Sequence, residues 1–168
     1  MKRNAIVQYY VEGEDEKRLL NVLKTDLRVI QPGKIDVFNV VCDTLSLGRL
    51  MALKPNTVVV LVFDTDAFDD AILKKNIESL KMCSNVEDVL TIPQARNLEE
   101  ELVKSCNIKD IKELLNSKSK KDFKTDLIKT TNLTAKLIQK GFDINKLWIG
   151  NDFGIFTNLE NRSREIKR

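Results

Sequence analysis

The run Thr57 to Phe63 (TVVVLVF) constrains this chain more than any other stretch. An apolar run without polar alternation describes a strand buried on both faces, as in the middle of a parallel sheet. Parallel strands need crossover connections, and the flanking sequence supplies them. Ala5 to Val11 (AIVQYYV) is a β-branched and aromatic strand that stops at Glu12-Gly13, where Gly13 permits a tight turn. The following GEDEKRLLNVLK is a helix. Its Leu19, Leu20, Val22 and Leu23 fall on one side, and Glu14, Asp15 and Glu16 crowd the end favoured by the helix dipole. After a loop at Gln31-Pro32-Gly33-Lys34 come a strand from Ile35 to Val41 and a short helix from about Ser46 to Leu53. Beyond the apolar run lie a helix from about Asp70 to Lys81 and a fourth strand, Glu87 to Ile92, terminated by Pro93. This β-α-β-α-β-α-β order predicts an α/β, three-layer fold with a mostly parallel central sheet of about four strands and right-handed crossovers.

After residue 93 the character changes to helical. Arg96 to Cys106, Ile108 to Leu115 and Thr130 to Lys140 read as helices, with Gly141 a C-cap. SKSKKDFK (117–124) reads as a basic loop, and the tail from Gly150 as a strand or loop. The expected organisation is an α/β core over 1–103 and a basic, mainly helical extension over 104–168, packed as one domain. Charge divides the same way. Residues 1–103 carry 13 Lys+Arg and 17 Asp+Glu, hence −4, whereas residues 104–168 carry 15 and 8, hence +7. An acidic part suited to metal beside a basic part suited to phosphate is what a metal-dependent nucleic-acid enzyme requires. A solvated lysine-rich face has the same composition.

The chain has no histidine, which excludes Ser-His-Asp and Cys-His triads and imidazole proton shuttles. Carboxylates, lysines, hydroxyls, thiols or an oxygen-ligated metal remain. Cys42, Cys83 and Cys106 are widely separated and form no CxxC pair, as expected of reduced intracellular thiols. The basic dipeptide Lys2-Arg3 is followed too soon by acidic residues for a signal peptide, and no run approaches the roughly 20 apolar residues of a membrane span. A cytoplasmic protein is expected.

In parallel α/β sheets, ligands bind outside the carboxyl ends of the strands. Glu12, Asp64 and Asp66 sit at such ends. Two aspartates at i and i+2 after a buried strand converge once strand gives way to loop, and Mg²⁺ or Mn²⁺ prefers such hard oxygen ligands. A third carboxylate on a neighbouring strand adds a ligand, or a base for an attacking water. Spacing alone equally allows Asp64 and Asp66 to do no more than cap the next helix.

The stretch Ile6 to Leu20 (IVQYYVEGEDEKRLL) resembles the first motif of Toprim domains, an apolar strand ending in Glu-Gly and followed by a helix. Val58 to Asp66 (VVVLVFDTD) is similar to their second motif, a buried strand ending in Asp-x-Asp. Asn97 to Leu102 (NLEEEL) resembles the acidic helix start that follows the sheet in Toprim domains of overcoming-lysogenization-defect (OLD) nucleases and related phage-defence proteins. The resemblance spans roughly residues 4–103. It implies a Toprim-like fold, Glu12 as metal ligand or general acid/base, Asp64 and Asp66 as ligands of catalytic Mg²⁺ or Mn²⁺, and Glu99, with Glu100 its rival, as the third acidic residue. Ala67, Phe68, Asp69 and Asp70 stand where topoisomerases and primases usually place a glycine, which leaves the OLD-like branch ahead. Those proteins carry an ATPase in the same chain. This one has no GxxxxGK[ST] loop, so an ATPase would be a separate partner.

The expectation is therefore a metal-dependent nuclease acting on DNA or RNA, in a phage-defence setting. Its rivals are a non-catalytic Toprim-like binding module and an Mg²⁺-dependent phosphotransferase or phosphatase on a small substrate. Lys118, Lys120, Lys121 and Lys124, with Phe123 as a stacking ring, would track a phosphate backbone. Lys17 and Arg18 suit a helix surface or a scissile phosphate. Arg96 suits a phosphate or a pair with Glu99 or Glu100. Tyr9 and Tyr10 lie within a strand, unsuited to nucleophilic attack, and Trp148 fills a gap under the last helix. Cys42 has no activating cation and is expected to be buried.

Overall fold

Both faces of the Thr57–Phe63 run are covered, and its residues are all buried. The computed structural model describes residues 5–66, 69–150 and 153–168. In chain order its elements are β1 (Ile6–Val11), α1 (Glu14–Asn21) with a π-helical turn at Val22–Asp26, β2 (Lys34–Val37), α2 (Leu47–Met51), β3 (Thr57–Asp64), α3 (Ala71–Met82) and β4 (Val86–Gln94). Then follow α4 (Leu98–Ser105), α5 (Lys112–Leu115), α6 (Lys120–Lys129) and α7 (Leu133–Gln139). The four strands form one parallel sheet in the order β2-β1-β3-β4.

Strand periodicity sorts the core into two layers. Val58, Val60 and Val62 of β3, with Val7, Tyr9 and Val11 of β1, pack with Leu19 and Leu23 and with Leu98, Leu102, Phe123, Leu127 and Trp148. Val59, Leu61 and Phe63 pack on the opposite face with Leu73, Ile77, Leu80, Phe153 and Phe156. Both faces are apolar, so β3 shows no alternation in its sequence. The first layer mixes residues from both sides of position 104, and the fold is an α/β three-layer arrangement. No helix among the described residues is long and apolar enough to cross a membrane.

Several expected boundaries move, each for a local reason. β4 runs through Pro93 with its register intact, Phe63 opposite Pro93 and Asp64 opposite Gln94. It is an edge strand, where proline's missing N–H is tolerated. β2 ends at Val37 rather than Val41, because Asn39 Oδ1 accepts from the N–H groups of Val41 and Cys42 and turns the chain. The helix expected over 108–115 shrinks to α5, since Glu113 Oε1 binds the N–H groups of Lys109 and Asp110. The basic stretch 117–124 is not a loop but the entry to α6. Ser119 caps it by accepting from the Asp122 N–H at 3.1 Å, and Phe123 and Leu127 bury one turn apart. α7 starts at Leu133, and Gly141, at φ +65, closes it as expected. The N–H groups of Gly141 and Phe142 bind the carbonyls of Ile138 and Leu137 there. The tail holds two short 3-10 turns and a bridge between Ile30 and Lys167. The Lys2-Arg3 dipeptide, Ala67 and Phe68, and positions 151–152 of the tail lie outside the described residues.

Candidate functional site: an acidic cleft at the carboxyl edge of the sheet

β1 and β3 are neighbours in register, so the residues that end them arrive side by side. Glu12 Oε1 accepts the backbone N–H of Asp64 at 3.1 Å, and Glu12 Oε2 accepts from Asn39 Nδ2 at 3.2 Å. Asp64 Oδ1 accepts from Gln94 Nε2 at 2.8 Å, across from the end of β4. Gln94 is itself fully buried, and its Oε1 takes the indole N–H of Trp148 at 3.4 Å. Trp148 fills a gap as expected, and also holds the amide that holds Asp64. Asp66 is exposed on the next loop. Thr65, between the aspartates, is stitched to the exit of β4: its N–H binds Arg96 O, and its hydroxyl donates to Gln94 O while accepting from the Arg96 N–H. Neither aspartate caps α3. Asp70 occupies that position, and Asp69 Oδ1 accepts from the Ala71 N–H.

Asp15 and Glu16, expected as helix-dipole charges, belong to the same acidic group. Glu16 Oε2 folds back onto the N–H of Gly13 at 2.7 Å, and both Asp15 and Glu16 are buried. A Glu three residues after a helix start is a capping-box signal, and it was present at Gly13-x-x-Glu16. Gly13 itself has an ordinary extended backbone (φ −137), so turn geometry does not demand glycine. A Cβ there would meet the carboxylate ends of Asp15 and Glu16, which would have to shift.

These carboxylates strain one another. Burial, then the charges of Glu12, Glu16 and Asp66, push the Asp64 carboxyl up to about 8. Glu12 is raised by burial and by Asp66 and Asp15, against the opposing Asp64 N–H and Lys124. Glu16 is raised by burial and by Asp15. Among the described residues, Lys124 is a cation that faces them, from the first turns of α6, with its Nζ 3.5 Å from Glu99 Oε1 and 3.8 Å from Asp15 Oδ2. Burial pulls its amine down, but Glu99, Asp15, Asp64 and Glu16 together hold it above its usual value.

The remaining expectations divide. Glu99 meets the cleft through Lys124, and its Oε2 is buried without a hydrogen-bond partner among the described residues. Glu100 instead pairs with Arg96 at 3.3 Å, the helical pair the spacing allowed. Glu101 is the residue sequence reasoning missed, fully buried and accepting the N–H groups of Ala95 and Trp148, each at 2.8 Å. Lys118, Lys120 and Lys121 are exposed. Phe123 is wholly buried and offers no stacking face, and Cys42 is exposed where a buried thiol was expected; the buried one is Cys106. Lys17 pairs with Glu14, Arg18 donates to Thr130 O, and Tyr9 and Tyr10 are both buried.

Among the described residues, no three acidic or thiol side chains stand close enough to enclose a metal ion as they are arranged. Their chemistry still fits one. Glu12, Asp64 and Asp66 are hard oxygen donors, and the raised Asp64 and Glu12 carboxyls record anionic charge that Lys124 does not balance. The fold and this edge define a parallel α/β protein with a carboxylate cleft where such sheets bind ligands. Comparison with family models, curated proteins and solved structures yields no match.

Proposed function

We propose that this chain is a Toprim-type nuclease that hydrolyses phosphodiester bonds of nucleic acid with Mg²⁺ or Mn²⁺, in a defence setting governed by a separate ATPase. The carrying observation is the joining of Glu12 to Asp64 at the ends of the two central strands, within a group of mutually repelling carboxylates. Glu12, Asp64 and Asp66 would hold the cation, which supplies charge neutralisation at the phosphate and an acidified water. Glu12, raised above its ordinary range, is suited to take a proton from that water. Gln94 fixes Asp64 Oδ1 by a hydrogen bond from its Nε2 at 2.8 Å. Lys124 lies beside Glu99 and Asp15, where an ammonium offsets charge building on phosphate. Next to Asp66 is a cavity of about 400 Å³ that also takes in Arg96, Asn97 and Glu100. Asp64 does not line it.

The test is incubation with plasmid, single-stranded DNA and tRNA, with Mg²⁺ or Mn²⁺ and with EDTA. Cleavage that needs the cation and is lost in Glu12→Ala supports the reading; cleavage unaffected by Glu12→Ala overturns it. Lys124→Ala should lower kcat by about 10²-fold while leaving KM within a few fold, as expected for a group acting on transition-state charge. An unchanged kcat would remove Lys124 from the mechanism.

A further inference from the structure

Phe38, the residue after β2, donates its backbone N–H to Val11 O at 2.7 Å, so Glu12 and Asn39 leave the sheet side by side. Asn39 closes the turn that follows. Its Oδ1 accepts the N–H groups of Val41 and Cys42, each at 3.0 Å, and its carbonyl accepts from the Asp43 N–H at 2.8 Å. Asp or Ser closes such a turn as well. Neither combines that acceptor with a donor on a second atom, and Asn39 Nδ2 donates to Glu12 Oε2 at 3.2 Å. The direction of the amide is fixed by the same contacts. Turned over, it would set its NH₂ group against two backbone N–H groups and face Glu12 with an oxygen. The turn thus dictates that a donor meets Glu12.

The turn is in its turn held by α3. Asn76 is fully buried; its Nδ2 donates to Val40 O at 2.8 Å and Asp43 O at 2.7 Å, and its Oδ1 accepts from the Leu45 N–H at 2.8 Å. Val40, Val41 and Leu45 add buried apolar anchors on the same segment. We infer that Asn39 is a positioning residue for the cation site, fixing the Glu12 carboxylate from the β2 side as Gln94 fixes Asp64 from the β4 side. The inference deepens the nuclease reading and rests on it for Glu12 as a cation ligand. With Oε1 on the Asp64 N–H and Oε2 on Asn39, each Glu12 oxygen has one donor and keeps a lone pair for the cation. The carboxylate is therefore oriented before a cation arrives. Partners that orient a ligand in this way are worth about 10–100-fold in metal affinity.

The experiment measures Mn²⁺ affinity and, in EDTA, the urea midpoint of the full chain and its variants. Asn39→Ser keeps an acceptor for the turn and removes the donor to Glu12; it should weaken Mn²⁺ binding about tenfold with its helical circular dichroism unchanged. Asn39→Asp keeps both turn bonds and sets a carboxylate oxygen against Glu12, so in EDTA it should unfold at lower urea than the parent. In a Glu12→Ala background most of that loss should disappear, because residues in contact do not add. A side chain that only shapes the turn would cost the same with or without Glu12. Should Asn39→Ser fail to fold, the comparison of Asn39→Asp with and without Glu12→Ala decides alone. Mn²⁺ affinity within about twofold of the parent in Asn39→Ser, against the loss expected of an orienting partner, would overturn the inference. So would equal urea losses for Asn39→Asp in the two backgrounds. The two readings fail separately: weakened Mn²⁺ binding without cleavage of any strand removes the nuclease alone, and cation-dependent cleavage with Asn39 variants unchanged removes the role of Asn39 alone.

Discussion

Asp64→Asn should raise the melting temperature of the cation-free protein and at the same time abolish cleavage. The Asp64 carboxyl, ordinarily near 3.8, is pushed up to about 8 by burial and by Glu12, Glu16 and Asp66. Between these values the unfolded chain has released a proton that the folded chain retains. The folded state therefore binds more protons, and stability must fall as pH rises from about 4 through about 8. An amide keeps an oxygen for Gln94 Nε2 and removes the charge. Its expected signature is a higher Tm at pH 8, little change at pH 5, and a flatter Tm-against-pH curve than the parent. About 1 kcal/mol corresponds to roughly 2–4 °C in a chain of this size, so calorimetry resolves it. Mg²⁺ or Mn²⁺ should raise the parent's Tm at pH 8 more than at pH 5, and the variant's hardly at all. A variant less stable than the parent at pH 8 would mean that Asp64 is a settled structural carboxylate and not part of a cation site.

Residues whose role is local were legible in the sequence, and residues whose role depends on distant partners were not. β3 announced itself because a strand covered on both faces has no other composition open to it, and Glu12 and Asp64 followed from being its neighbours' and its own last residues. Glu16 carried a capping signal that was masked by two adjacent acids serving the same helix end. α6 was hidden because its exposed positions, Lys120, Lys121, Asp122 and Lys124, outnumber the two that bury, Phe123 and Leu127. The Ser119-x-x-Asp122 cap was the available clue. Reading the helix as a loop also placed Lys124 among solvent-facing lysines. One turn of helix on the α1 side turns it toward Asp15 and Glu99 instead.

Glu101 was beyond local reading, because its two partners are the N–H of Ala95 and that of Trp148, 47 residues away. Glu101→Ala should be among the most destabilising single substitutions in the chain. It removes a fully buried carboxylate and leaves two backbone N–H groups without acceptors. At about 1–3 kcal/mol for each unsatisfied group, the loss is about 2–6 kcal/mol. Glu101→Gln supplies one acceptor and sets an N–H donor against the other backbone N–H, so it should recover only part of this. Trp148 is the only tryptophan and is buried, which makes its fluorescence a direct report. The alanine variant should shift emission to the red and move the urea midpoint far below the parent's, with the glutamine variant between. The damage should also reach the cleft. Trp148 holds Gln94, and Gln94 holds Asp64, so a glutamine variant that folds should bind Mn²⁺ more weakly than the parent while keeping its helical circular dichroism. Unchanged fluorescence, urea midpoint and Mn²⁺ affinity would show that the two Glu101 hydrogen bonds do not tie Trp148 to the site.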